Sequence, residues 1–167
     1  AALTNYEAAS KSLSVLKEYK VDSSILRRLA AADMSPEIYK RNILNSGASF
    51  YNTSRFDSSE VFFTEFLKLA PNDTFAIFFL ANSQFYQGKY EQAVVNYKRL
   101  LDMDFNRPDI HNLVGVSLML QNNFLGARDY FSQAILLDKN LGVAYFNLGK
   151  VQYGLQDRNA ALQTLTQ

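Results

Sequence analysis

Residues 81–97 read ANSQFYQGKYEQAVVNY, and residues 115–131, 34 positions on, read GVSLMLQNNFLGARDYF. Each stretch opens on a small residue, with an aromatic nine places later, a small residue at twelve and an aromatic at sixteen: Ala81, Tyr90, Ala93 and Tyr97 against Gly115, Phe124, Ala127 and Phe131. The four columns extend upstream to Gly47, Phe56, Ser59 and Phe63. Downstream they reach Gly149, Arg158, Ala161 and Leu165, where Arg158 breaks the aromatic column. A chance apolar rhythm would drift out of step, because a helical turn of about 3.6 residues does not divide this period evenly. A register shared by four columns therefore marks an internal repeat, the signature of a stacked array.

Each unit reads as two helices of about 14 residues joined by a short turn. In one unit they span 74–87 and 90–103 with the turn at Gly88; in the next the turn falls at Asn122 and Asn123. Small residues at Gly115 and Ala127 let paired helices approach to roughly 8–10 Å, while Phe124 and Phe131 fill the space beside that contact. One pair cannot bury its apolar face alone, so neighbouring pairs stack and share a continuous core.

These residues resemble the tetratricopeptide repeat, most closely in YFNLG at 145–149 with Ala161, and in GKYEQA at 88–93 with Tyr97. The resemblance covers the chain from residue 40 onward, in repeats at 40–73, 74–107, 108–141 and a partial 142–167. It implies an all-α fold, a right-handed superhelical solenoid of antiparallel helix pairs. Ser46 stands where the other units carry Leu80, Val114 and Leu148, so the first repeat is the most divergent, although Pro71 keeps the family's terminal proline. Gln84 and Gln152 replace the usual aromatic of the first helix, where Phe50 and Leu118 stay apolar, and local repacking is expected there.

Residues 1–39 leave the register. Leu13, Leu16 and Tyr19, then Ile25, Leu26 and Leu29 after the cap formed by Asp22 and Ser23, predict an N-terminal helical segment, either a cap or a decayed fifth repeat. Ser35 followed by Pro36 is a helix start, so the first repeat's helix is expected to begin ahead of residue 40.

Composition removes most chemistry. Seventeen Lys and Arg against sixteen Asp and Glu give a net charge of +1, which leaves no basic field to hold a phosphate backbone, and nucleic acid is not an expected partner. The absence of cysteine excludes disulfides, thiolate zinc sites and a cysteine nucleophile, and a single histidine excludes a multi-imidazole metal site within one chain. Asp102, Asp104 and Asn106 reproduce three ligand positions of an EF-hand loop, but Arg107 stands where that loop requires glycine and Leu113 where it requires glutamate. The segment is read as the junction between two repeats. His111 takes the position of Ile77 and Tyr145, a packing position of the first helix. No phosphate-binding glycine loop, nucleophile elbow or paired-histidine motif occurs, so neither catalytic residues, metal nor cofactor are expected and the chain is read as no enzyme. The sequons at Asn52 and Asn72 are read as chance triplets.

The longest apolar run, 75–81, is far short of the roughly 18 residues of a membrane span. Glu7, Lys11, Lys17, Glu18 and Lys20 interrupt any leader core, which leaves the compartment open between the cytoplasm and, after removal of a signal peptide, the periplasm or another extracytoplasmic space.

In the tetratricopeptide family the first helices of successive repeats line a concave groove in which ligands lie. Carried over position by position, the rows here are Leu44, Phe78, Asn112 and Phe146; Ala48, Asn82, Val116 and Lys150; and Tyr51, Phe85, Met119 and Tyr153. The resemblance thus implies a peptide-binding face of Phe78, Asn82, Phe85, Tyr86, Asn112, Val116, Met119, Phe146, Asn147, Lys150 and Tyr153. Members that grip a C-terminal carboxylate use a cationic clamp. Asn82 and Asn147 stand at clamp-type positions here, but Phe78, Leu113 and Val143 stand where Lys, Asn and Lys are wanted, so no clamp is assembled. The expected ligand is an apolar or amphipathic segment of a partner protein, its backbone bonded by Asn82, Asn112 and Asn147.

The function this implies is a non-catalytic, chaperone-like interaction scaffold or adaptor in a bacterial assembly or secretion system. The alternative is a regulatory or targeting domain of a larger multidomain protein, including an enzyme. Ala161, Leu162 and Leu165 in the last helix leave an apolar edge that is expected either to self-associate or to be covered by further helices.

Overall fold

The computed structural model describes residues 36–166, all of it helix and turn. The helices expected before residue 36 lie outside the described residues. Eight helices follow: α1 (Pro36–Asn52), α2 (Phe56–Leu69), α3 (Thr74–Tyr86), α4 (Tyr90–Asp102), α5 (Pro108–Leu120), α6 (Phe124–Leu137), α7 (Gly142–Gly154) and α8 (Arg158–Leu165). The helices expected at 74–87 and 90–103 are thus found to within a residue. The first repeat's helix opens on Pro36, whose fixed φ suits a first helical position.

The 34-residue period is written into the backbone at the turn inside each repeat. Ser54, Gly88, Asn122 and Gln156 all have positive φ, between 57° and 75°. Each donates its N–H to the carbonyl three residues back, at 2.9–3.0 Å, in Tyr51, Phe85, Met119 and Tyr153. The next residue in each turn, Arg55, Lys89, Asn123 or Asp157, donates to the carbonyl five residues back at 2.9 Å. This is a Schellman closure repeated four times; it satisfies carbonyls that the helix end would otherwise leave bare. The residue that closes one helix is also the N-cap of the next. Asn123 and Asp157 accept there from Gly126 and Ala160 at 3.1 Å, whereas Arg55 and Lys89 make no side-chain cap.

Left-handed backbone suits glycine and costs other residues roughly 1–2 kcal/mol. A Cβ on Gly88 would meet nothing within 4 Å, so Gly88→Ala should lose about 1 kcal/mol through the backbone alone. Gln156→Gly should gain about 0.5–1 kcal/mol after the added freedom of the unfolded chain is discounted. Urea unfolding followed by circular dichroism checks both signs.

The described residues divide into two compact units, with the boundary between Ser83 and Gln84 inside α3. In the first, Ile43, Phe50, Phe62, Phe63, Phe66, Ala76 and Leu80 form the core. Phe50 stacks on Phe62 at 5.3 Å, and Phe79 stacks on Phe63 at 5.7 Å while meeting Tyr51 edge-on at 4.8 Å. Ser59, the serine of the small-residue column, donates to the Gly47 carbonyl at 3.0 Å and lies 3.0 Å from the Ser83 hydroxyl. The divergent first repeat thus gains a buried polar link between its helices where the other repeats carry alanine.

In the second unit α5 packs against α4 and α6, α6 against α7, and α7 against α8. The small-to-large columns prove to be close contacts: a Cβ on Gly115 would lie 2.6 Å from the Phe131 ring, and one on Gly149 would lie 2.6 Å from Leu165. Phe131 is fully buried. Gln84, in place of an aromatic, accepts a 2.8 Å hydrogen bond from Asn96 of α4, so the repacking expected there is a polar cross-link. Gln152 makes no equivalent bond; its buried Oε1 has no partner among the described residues.

Candidate functional site

Helices α5 and α7 are built alike. In α5, Pro108 occupies the first turn, and the Arg107 guanidinium donates twice to the Asp109 carboxylate, at 3.0 and 2.7 Å, beside that helix start. Its inward residues Ile110, Val114, Gly115 and Leu118 are buried, which leaves Asn112, Val116 and Met119 half-buried on the other side. In α7 the buried set is Ala144, Asn147, Leu148, Gly149 and Val151, and the face opposite carries Phe146, Lys150 and Tyr153. Residues spaced by four and three fall on one helical face, so each helix presents one stripe.

On α7 that stripe is open. Phe146 is 57% exposed and Tyr153 65%, and exposed Lys150 lies with its ammonium 5.6 Å from the centre of the Phe146 ring. Phe146 also forms one wall of a mixed polar and apolar recess of about 420 Å³, shared with Lys139, Asn140, Gly142, Tyr145, Thr164 and Leu165. The stripes of α5 and α7 are joined by a hydrogen bond from Asn147 Nδ2 to Asn112 Oδ1 at 3.1 Å.

The remaining sequence-predicted residues sit differently. In the first unit Phe78 is half-buried with its ring edge-on to Phe79 at 5.5 Å, and Asn82 is buried. At the start of the second unit, half-buried Phe85 meets Tyr86 and Tyr90 edge-on, each at 5.6 Å, and Tyr86 is exposed. Asn147 is buried and engaged with Asn112. Buried Asn82 and Asn147 therefore contribute little surface to a bound backbone, half-buried Asn112 accepts from Asn147, and the open aromatic surface lies on α7. Val143, also exposed on α7, extends that surface; in the sequence it stands out only as a departure from the clamp pattern.

His111 occupies the packing position expected of it. Its Nε2 lies 2.6 Å from Asn106 Oδ1, its ring packs 5.9 Å from Tyr130, and its buried Nδ1 has no partner among the described residues. Burial lowers its pKa below the ordinary value of 6.5, because a charged ring there loses solvation. The unfolded chain then binds the proton more readily than the fold. This contribution to stability is present above about pH 6.5 and is lost as pH falls through the lower folded value. His111→Ile should flatten the decline in thermal stability between neutral and mildly acidic pH, measured by melting over a pH series.

Among the described residues no three His, Cys, Asp or Glu side chains cluster to hold a metal, and no helix is long and apolar enough to cross a membrane. Asp102 ends α4, and Met103 to Asn106 lie in the turn that leads to α5, with Asp104 at positive φ.

Residues 81–122, which hold the end of α3, all of α4 and all of α5, match the family model described as TPR repeat. This stretch is a tetratricopeptide repeat. Solved structures agree on the fold. A crystal structure of MamA protein is 19% identical, covers 75% of this chain and 68% of its own, and superposes with a TM-score of 0.71. MamA from residue 41 onward of Desulfovibrio magneticus RS-1 is 14% identical, with 96% and 92% covered and a TM-score of 0.73. The Arabidopsis OM64 TPR domain is 15% identical, with 68% and 94% covered and a TM-score of 0.63. No curated protein matches by sequence. At these identities the likeness establishes architecture alone.

Proposed function

We propose that this tetratricopeptide scaffold is a non-catalytic adaptor that captures an apolar or amphipathic segment of a partner protein on its first-helix face. The observation that carries the proposal is the open stripe of Phe146, Lys150 and Tyr153 on α7. Folded proteins bury aromatic side chains where they can, and exposed clusters of them with a few polar groups are the composition of interaction surfaces. Half-buried Val116 and Met119 on α5 add adaptable apolar area beside it. The same face serves in either setting raised by the sequence, an assembly or secretion system in bacteria or a targeting domain of a larger protein.

Photo-crosslinking tests this. A photoreactive phenylalanine analogue at Tyr153 should capture a discrete partner in cells that express the protein, whereas the same probe at exposed Leu136 of α6 should not. Equal capture at both positions, or capture only at Leu136, overturns the assignment of the face.

A further inference from the structure

We infer that the segment captured at α7 is an acidic amphipathic helix, with a carboxylate seated on Lys150 between two apolar side chains that contact Phe146 and Tyr153. The inference rests on the binding face proposed above and specifies its ligand. Lys150 is the one charged group of the stripe, and its ammonium rests over an exposed ring with no carboxylate in ion-pair distance among the described residues. A cation placed between two exposed aromatics calls for an anionic group with apolar neighbours, because charge complementarity fixes register while the rings supply contact area.

The form of the ligand follows from the polar groups nearby. An extended peptide must have its own N–H and C=O groups bonded, which demands free amides along the face. Asn147 is buried and already donates to Asn112 Oδ1 at 3.1 Å. A helix satisfies its own backbone and asks only for side-chain contacts. From Phe146 through Lys150 to Tyr153 is seven residue steps of helix, about 10.5 Å at 1.5 Å per step. A partner helix laid along α7 matches that length with an apolar, an acidic and an apolar residue at spacings of four and three.

The test uses synthetic helical peptides of about four turns, uncharged except at one site, with leucines flanking Glu, Gln or Lys at those spacings. Binding to the full chain and to Lys150→Glu is read by fluorescence anisotropy at low salt. The wild-type chain should prefer the Glu peptide to the Lys peptide by about three- to ten-fold, and Lys150→Glu should reverse the order. Equal affinities for Glu and Lys peptides overturn the inference and leave the binding face standing. A Glu peptide with a central proline that binds as tightly as the helical one overturns the helical form. If no peptide binds, the binding face itself is wrong and the inference falls with it.

Discussion

Phe131→Ala is expected to destabilise residues 84–167 by about 3–5 kcal/mol, the usual cost of removing a large buried aromatic. Phe131 is fully buried, and its ring lies where a Cβ on Gly115 would approach within 2.6 Å. Glycine on the facing helix offers no side chain to relax into the vacated space, which places the cost toward the upper end of that range. A domain of this size is stable by only about 5–15 kcal/mol, so the unit should lose much of its margin at ordinary temperature. Gly115→Ala supplies the complementary arm. In the wild-type background the new methyl collides with the ring and should cost about 1–3 kcal/mol, partly offset by roughly 1 kcal/mol of helix propensity. In the Phe131→Ala background the same methyl enters the cavity and should stabilise. A sign reversal across this double-mutant cycle, read by chemical denaturation, isolates the contact that the 34-residue period encodes. Equal effects of Gly115→Ala in both backgrounds would show that the two positions are uncoupled.

The second large effect is on binding. Phe146→Ala combined with Tyr153→Ala removes both open aromatics of α7. Loss of an aromatic anchor costs about 2 kcal/mol or more, so the pair should weaken partner binding by at least roughly thirty-fold. Both side chains are more than half exposed, so the helical circular dichroism and the melting midpoint should change little. Phe78→Ala and Phe85→Ala, on the same rows of the sequence, should have smaller effects on binding. Those rings are half-buried and engaged with Phe79, Tyr86 and Tyr90. Titration of the crosslinked partner, or of the Glu peptide, against each variant gives the ranking.

The architecture was legible because the repeating columns are tied to backbone and packing geometry. Gly115 faces Phe131 and Gly149 faces Leu165 because the helices approach there, and Gly88 and Asn122 mark turns because both residue types accept positive φ. Ser54 and Gln156 adopt the same backbone without being typical of it, and only their 34-residue spacing from Gly88 and Asn122 reveals them. The face was legible as rows but not as surface. Whether Phe85 or Tyr153 is the more open depends on which neighbours reach it, and Tyr90, which meets Phe85, comes from the next helix. The Asn147 to Asn112 bond joins residues 35 apart, and the Gln84 to Asn96 bond crosses a helix pair; neither follows from a local pattern.

The binding face is tested most directly by methyl and aromatic NMR of the labelled chain during titration with the Glu peptide. The account predicts progressive shifts at Val116, Met119, Phe146 and Tyr153, with Leu125 and Leu136 on α6 unmoved. Shifts centred on Leu125 and Leu136, or a saturated complex in which Phe146 and Tyr153 keep their free positions, would contradict it.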